Sequence, residues 1–143
     1  AIAENAIQNG YTIAWAADVS EKGFNFFEGL AVVPETEFTD MSPEEKKKVF
    51  EEPVKEKTIT PELRQKAFDN FETQDDHGMH IVGMAKDQNG KVYFRVKNSW
   101  GTANPGSGYF YASEPYFAYK TTCIMLNKKA LPADVAKKLG IKQ

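Results

Sequence analysis

Residues 92–101 read VYFRVKNSWG, and this stretch decides the fold. Side chains of a β-strand alternate between its two faces, which gives one apolar face and one largely polar face here: Val92, Phe94, Val96, Asn98 and Trp100 against Tyr93, Arg95, Lys97 and Ser99. The alternation predicts a half-buried strand. Asn98 falls on the apolar face, where a carboxamide without a hydrogen bond is costly. We therefore expect Asn98 to hold a specific partner.

Composition bounds the class of protein. The chain has 143 residues, of which 41% are hydrophobic and 27% charged, enough for one globular domain spanning residues 1–143. A net charge of −2 offers no broad basic surface for nucleic acid, and no apolar run is long enough to predict a membrane span. The single cysteine excludes an internal disulfide framework. The chain starts AIAENAIQNG, without an initiator Met or a helix cap, so we interpret it as a piece of a longer protein.

Helices and strands both have clear signals. Ser42-Pro43 and Thr60-Pro61 each place a capping hydroxyl before a proline at the first helical position. In the second of these helices, Leu63, Ala67, Phe68 and Phe71 form an expected core stripe. The other predicted elements are a helix over 2–9, strands over 11–18, 79–86, 91–99, 108–113 and 119–126, and a helix over 132–139. The fold class is α+β, with an antiparallel sheet and flanking helices.

The two central strands are expected to form a hairpin, because Asp87-Gln88-Asn89-Gly90 is a turn signal. A two-residue turn would set Ile81 opposite Asn98, whereas a four-residue loop would set His77 opposite Asn98. Both registers keep the same faces inward, so hydrophobicity cannot choose. The need to pair Asn98 favours the wider loop or an equivalent bulge. The alternative is that Asn98 bonds main chain and His77 is an ordinary core histidine.

The stretch DDHGMH holds both histidines, which makes a metal site an alternative to consider. A strand starting there would put His77 and His80 on opposite faces, where they cannot share an ion. Asp75 and Asp76 could add ligands, but acids before a strand usually face solvent. We predict no metal and no other cofactor.

Three motifs together resemble the papain-like cysteine peptidases: His77-Gly78-Met79, Asn98-Ser99-Trp100-Gly101 and Gly108-Tyr109-Phe110. The segments around Ala17-Asp18-Val19, Arg95-Val96-Lys97 and the expected turn Ser113-Glu114-Pro115-Tyr116-Phe117 are similar to the bleomycin hydrolase and aminopeptidase C branch. The resemblance implies the right-hand β lobe of that fold, a half-barrel. It also implies roles: His77 as general base, Asn98 as the amide that orients it, and Trp100 as a cover that shields their hydrogen bond from water.

The resemblance leaves the nucleophile to be found elsewhere. In this family the histidine follows the catalytic cysteine by roughly 130–150 residues, whereas Cys123 comes after His77 and lies in the expected strand TTCIMLN. We interpret Cys123 as a buried small hydrophobic residue. The thiol and the oxyanion donors would belong to a missing N-terminal lobe, so that this chain alone would be inactive.

The function expected for the parent protein is amide hydrolysis of peptide substrates through a thioester intermediate. The resemblance further implies aminopeptidase-like specificity, a cytoplasmic location and a hexameric homo-oligomer, although the ending ALPADVAKKLGIKQ lacks the apolar tail of that branch. The alternatives are a non-catalytic binding or regulatory module of the same fold, and a small metal-binding protein using His and Asp.

Overall fold

A computed structural model describes residues 2–143. The helices are α1 (Ile2–Gln8), α2 (Pro43–Lys48), α3 (Pro61–Asp69), α4 (Glu114–Lys120) and α5 (Ala133–Lys138), with a 3-10 turn at Lys128–Ala130. The strands are β1 (Ile13–Ala17), β2 (Phe24–Asn25), β3 (Leu30–Ala31), β4 (His77–Lys86), β5 (Val92–Lys97), β6 (Tyr109–Ser113) and β7 (Thr121–Met125). Within residues 2–143, no helix has the length and apolar character needed to cross a membrane.

One curled sheet of seven strands organises the chain, in the order β2-β3-β6-β5-β4-β1-β7. Neighbouring strands are antiparallel except β3 and β6, which are parallel. The predicted α+β half-barrel with flanking helices is therefore confirmed. Its core is built on large side chains that are almost completely buried, among them Trp15, Phe94, Phe110 and Tyr116.

The helix starts form as their local chemistry predicts. Ser42 accepts a hydrogen bond from the Glu45 amide while the Glu45 carboxylate accepts one from the Ser42 amide, which is a complete capping box. The Thr60 hydroxyl caps α3 by accepting from the Leu63 amide. These bonds involve residues three apart, so the sequence suffices to predict them.

The hairpin register differs from both predicted registers. The loop has three residues, 88–90, because the Asp87 amide donates to the Lys91 carbonyl, and Gly90 closes it with a φ of 80°. A bulge between Ile81 and Gly83 then shifts the pairing by one residue. On the side of the bulge toward His77, Ile81 lies opposite Val96. On the side toward the hairpin loop, Met84 lies opposite Phe94. The bulge reverses the alternation of β4, so that Ile81 and Met84 both face the main core.

Three other expectations are wrong. In α3 only Ala67 is buried and Phe68 is 59% exposed, because the helix packs along a narrower stripe than its sequence suggests. Phe71 lies beyond the end of the helix at Asp69, with a φ of 62°, and is 78% exposed. The expected turn at 113–117 is the start of α4, since the Ser113 hydroxyl caps the Tyr116 amide. Cys123 is exposed, because it lies on the outer face of the edge strand β7.

Candidate active site

His77 and Asn98 come from the ends of two neighbouring strands. His77 is the first residue of β4 and pairs with Ala17 of β1. Asn98 follows the last residue of β5, and its amide donates to the Gly108 carbonyl at 2.9 Å. Continuing the register of Ile81 with Val96 sets Met79 opposite Asn98, so His77 lies diagonally from Asn98, within reach of a long side chain. The structure brings the two side chains together, with 2.7 Å from His77 Nε2 to Asn98 Oδ1.

The orientation of the Asn98 amide fixes the tautomer of His77. Asn98 Oδ1 also lies 2.8 Å from the Ser99 amide nitrogen, which can only donate. The shared atom must therefore be the oxygen, and the facing Nε2 of His77 must carry a proton. Neutral imidazole then has its lone pair on Nδ1, which makes no hydrogen bond within residues 2–143. The arrangement gives His77 one nitrogen that is held and one that is free to accept a proton.

The second polar atom of Asn98 is left unpaired. The residue is 8% exposed, and its Nδ2 is buried with no hydrogen-bond partner among residues 2–143. A buried unpaired donor destabilises a fold by about 1–3 kcal/mol. Packing alone would be served better by an apolar side chain, so this amide is a structural cost that a functional contact with His77 would explain.

Trp100 covers the imidazole from one side. Its ring lies 4.7 Å from the His77 ring, centroid to centroid, at an interplanar angle of 35°. Edge contacts with Phe24 and Phe26, at 5.7 and 5.5 Å, hold the indole in place. Trp100 is nevertheless 47% exposed, so it shields one face of the site and leaves the other accessible.

The chain turns sharply to bring Trp100 over His77, so the contact does not arise from a shared strand face as the sequence suggested. Strand β5 ends at Lys97, before Trp100. Gly108, across the turn, has a φ of 92°, and a Cβ there would lie 3.1 Å from the Gly101 carbonyl oxygen. Both constraints favour glycine at position 108.

Two aspartates, Asp18 and Asp76, anchor the segment leading into His77, a role that the sequence did not predict. Asp18 is 3% exposed, and its carboxylate accepts from the Ser20 and Gln74 amides at 2.9 and 2.8 Å. Asp76 accepts from the Val19 and Ser20 amides at 3.0 and 3.2 Å. Burial alone would raise the pKa of Asp76, but hydrogen bonds from Ser20 and Val19 outweigh it and hold that pKa below its usual range. In the sequence, the motif Ala17-Asp18-Val19 pointed to Asp18 only through the family resemblance.

The metal alternative finds little support in the geometry. His80 is exposed and pairs with Ala14 and Lys97, on the face of β4 opposite to His77. The Asp75 carboxylate accepts from the Thr122 hydroxyl at 2.8 Å. Within the described part of the chain, no three His, Cys, Asp or Glu side chains are grouped so that they could hold an ion.

Cys123 is not placed to serve His77. It aligns with Ala16 of β1, which aligns in turn with Gly78 of β4, so two strand spacings of about 4.8 Å separate Cys123 from β4. Gly78 and Cys123 lie on the exposed face of the sheet, opposite to the face of His77.

Comparison with known proteins identifies the family of the chain. Residues 32–142 match the Peptidase C1-like family. The structure is similar to PepW from Lactobacillus rhamnosis, with a TM-score of 0.61 and 25% identity over 96% of this chain and 28% of the PepW chain. Bromelain from Ananas comosus, solved in complex with the E64 inhibitor, gives a TM-score of 0.40 and 17% identity over 81% of this chain and 40% of its own. No curated protein sequence matches the chain.

The chain thus spans 28% of the length of PepW, and it has the β-rich half of the papain-like fold. The family match covers most of the residues that the structure describes, including both ends of the His77–Asn98 contact. By sequence and by fold, the chain belongs to the Peptidase C1-like family of papain-like cysteine peptidases.

Proposed function

We propose that the protein containing this chain is a cysteine peptidase in which His77 is the general base and Asn98 the amide that orients it. The observation that carries the proposal is the 2.7 Å contact between His77 Nε2 and Asn98 Oδ1, with the oxygen fixed by the Ser99 amide. A held Nε2–H leaves Nδ1 as the proton acceptor, which is the arrangement a thiol nucleophile needs.

The proposed reaction has an acylation half and a deacylation half, each with two proton transfers at Nδ1. A thiol from a part of the protein outside these residues gives its proton to Nδ1, and the thiolate attacks the carbonyl carbon of the peptide bond. The imidazolium returns the proton to the leaving amine, and a thioester remains. His77 then takes a proton from water, whose oxygen attacks the thioester carbonyl carbon. The C–S bond breaks, the acid product leaves, and the imidazolium returns the proton to the thiolate.

Asn98 suits this role because it orients the imidazolium without a negative charge. A carboxylate in its place would compete with the thiolate for the cation. Trp100 lowers the local dielectric on one side of the hydrogen bond, which strengthens it. The thiolate and the oxyanion donors belong, in this proposal, to a second lobe that packs against the exposed side of His77.

The finer assignment is an aminopeptidase of the bleomycin hydrolase and aminopeptidase C type. Its support is the resemblance of three segments. One of them, Ser113–Phe117, forms the capped start of α4. Another, Ala17–Val19, contains Asp18 and donates a hydrogen bond to Asp76, the two aspartates that anchor the segment before His77. A homohexamer is part of the same proposal. Aminoacyl amides with a free amino group should then be hydrolysed faster than their N-acetylated counterparts.

The test compares His77→Ala with His80→Ala in the full-length protein, using a fluorogenic aminoacyl amide. Removing a general base costs about 10²–10⁴-fold in rate, so His77→Ala should lose most of kcat. His80→Ala is the matched control, because His80 lies on the same strand with its side chain on the opposite face. Circular dichroism would verify that both variants fold.

In a Cys123→Ser background, which removes the exposed thiol of this chain, iodoacetamide should also abolish activity with one equivalent of label. A fully active His77→Ala variant, or equal losses in both variants, would contradict the proposed base. A folded Cys123→Ser protein without a reactive thiol and without hydrolytic activity would indicate the non-catalytic binding module instead.

A further inference from the structure

A cavity of about 420 Å³ lies at the end of the β4-β5 hairpin that is remote from His77. Strand β4 has 10 residues, which places its two ends roughly 30 Å apart. We call this space the hairpin cavity; the side chains that matter to it are Phe50, Glu51, Glu52, Asp87, Tyr93 and Tyr111. Its size is in the range of small-ligand sites.

The walls of the hairpin cavity are largely aromatic. Phe50 belongs to a small apolar cluster with Tyr93, Val32 and Val49, which fixes its position. Tyr111, on β6, is 39% exposed and forms another wall. Aromatic faces attract both apolar groups and cations.

Three carboxylates and one cation, Lys86, line the hairpin cavity, so its lining has a net negative charge. Glu51 forms an exposed ion pair with Lys47 at 3.5 Å, but Glu52 and Asp87 have no ion pair among residues 2–143. Lys91 is close by, yet its ammonium group is engaged by Glu56 and by the Val54 carbonyl at 3.1 Å.

Asp87 contributes an unpaired carboxylate oxygen. Its Oδ1 accepts from the Asn89 and Lys91 amides at 2.8 and 2.9 Å, which shapes the hairpin loop. Its Oδ2 is buried without a hydrogen-bond partner. Since this oxygen lies below the surface, it acts on the cavity through its charge rather than by contact.

Tyr93 supplies a polar group at the cavity wall. The residue is only 9% exposed, and no group from residues 2–143 forms a hydrogen bond with its hydroxyl. Burial, together with the negative charges of Glu56 and Asp87, raises the pKa of Tyr93 to about 12, so the hydroxyl stays protonated at neutral pH. Its oxygen is free to accept a hydrogen bond from a ligand.

Another cavity of the same chain differs in its charge balance. It has a volume of about 330 Å³ and is lined by three glutamates and two lysines. There Lys120 pairs with Glu21 and Lys57 pairs with Glu37. Within residues 2–143, only one carboxylate of that lining, Glu72, has no ion pair, whereas the hairpin cavity has two, Glu52 and Asp87, against the single lining cation Lys86.

We propose that the hairpin cavity binds an organic cation, an ammonium or guanidinium group carried on an apolar body. The apolar body packs between Phe50 and Tyr111, and the cation faces Glu52 and the field of Asp87. An N–H of the cation donates to the Tyr93 hydroxyl oxygen. This site does not depend on the peptidase chemistry of His77.

The test is calorimetric titration of the full-length protein with phenethylamine, and with 2-phenylethanol as its neutral analogue. Asp87→Asn retains the acceptor that closes the loop and removes only the charge. Asp134→Asn, on the exposed side of α5, is the control with the same change of net charge. The amine should bind at least about tenfold more tightly than the alcohol, and Asp87→Asn should remove about tenfold of that affinity.

Tyr93→Phe should weaken binding of the amine more than binding of the alcohol, because a charged N–H is the stronger hydrogen-bond donor. Asp134→Asn should affect neither ligand. Equal affinity for amine and alcohol, no saturable amine binding, or full affinity in the folded Asp87→Asn variant would each overturn the proposal.

The source of the cation is decided by competition with a blocked Phe-Arg dipeptide amide, after the catalytic thiol has been alkylated. If the dipeptide amide displaces phenethylamine from the wild-type protein but not from Asp87→Asn, the ligand is the basic side chain of a peptide. Amine binding without such displacement would identify a free amine. Both outcomes support a cation site.

Discussion

Replacing Asn98 with alanine should separate function from stability. The change removes two hydrogen bonds accepted by Oδ1, from His77 and from the Ser99 amide, which together stabilise the fold by about 1–3 kcal/mol. It also removes the buried, unpaired Nδ2, whose presence costs about 1–3 kcal/mol. The Ser99 amide can turn to water, because Ser99 is exposed. The two terms nearly cancel, so the free energy of unfolding should change little.

Activity should respond differently. A hydrogen bond to the charged imidazolium is worth about 1.5–3 kcal/mol, which corresponds to about 10- to 150-fold in kcat/KM. Nitrogen NMR of the histidine ring should at the same time show that the proton no longer resides mainly on Nε2, because nothing then selects that tautomer.

Asn104 provides a matched control, since it is another buried asparagine at 4% exposure. Both of its polar atoms are paired: Nδ2 donates to the Tyr109 carbonyl and Oδ1 accepts from the Gly108 amide, each at 2.6 Å. Asn104→Ala leaves those groups unpaired with nothing regained, and should lower the free energy of unfolding by about 2–4 kcal/mol.

The measurement is urea unfolding of both variants together with kcat/KM of the full-length protein. If Asn98→Ala destabilises the fold as much as Asn104→Ala, and its activity falls only with the folded fraction, then Asn98 is a structural residue and the reasoning is refuted.

Three further changes test other parts of the fold by urea unfolding. Asp76→Asn should reduce stability at neutral pH and lose its effect in acid. Folding lowers the pKa of Asp76, so its contribution to stability is present above the ordinary carboxyl pKa and disappears as the pH falls through the folded pKa. A pH-independent difference between wild type and variant would contradict this. Lys120→Met should lower the free energy of unfolding by about 3 kcal/mol, because it leaves the partly buried Glu21 without its cation. Adding Glu21→Gln to this variant should recover part of the loss. No recovery would argue against the ion pair as the cause. Phe68→Ser should change stability by no more than about 0.5 kcal/mol because Phe68 is 59% exposed, whereas a loss of several kcal/mol would show that it is buried in solution.

Local chemistry explains which elements could be predicted. Ser42 and Thr60 cap their helices through bonds to residues three positions away, and the alternation from Val92 to Lys97 depends on one strand alone. Helix α4 was not predicted although Ser113 is a suitable cap, because the first residues of the helix, up to Phe117, are also compatible with a turn. The outward direction of Phe68 could not be predicted, since helical periodicity does not say how wide a stripe the neighbouring elements cover.

The sequence by itself determined that Asn98 needs a partner and that an imidazole was within reach, because a carboxamide on an apolar strand face must be paired. Only the tertiary structure decided how they meet. The three-residue loop and the bulge between Ile81 and Gly83 move the register by increments that hydrophobic alternation cannot detect. The exposure of Cys123 and the stacking of Trp100 on His77 likewise depend on strand order and on a turn at Gly108, which are contacts between residues distant in sequence.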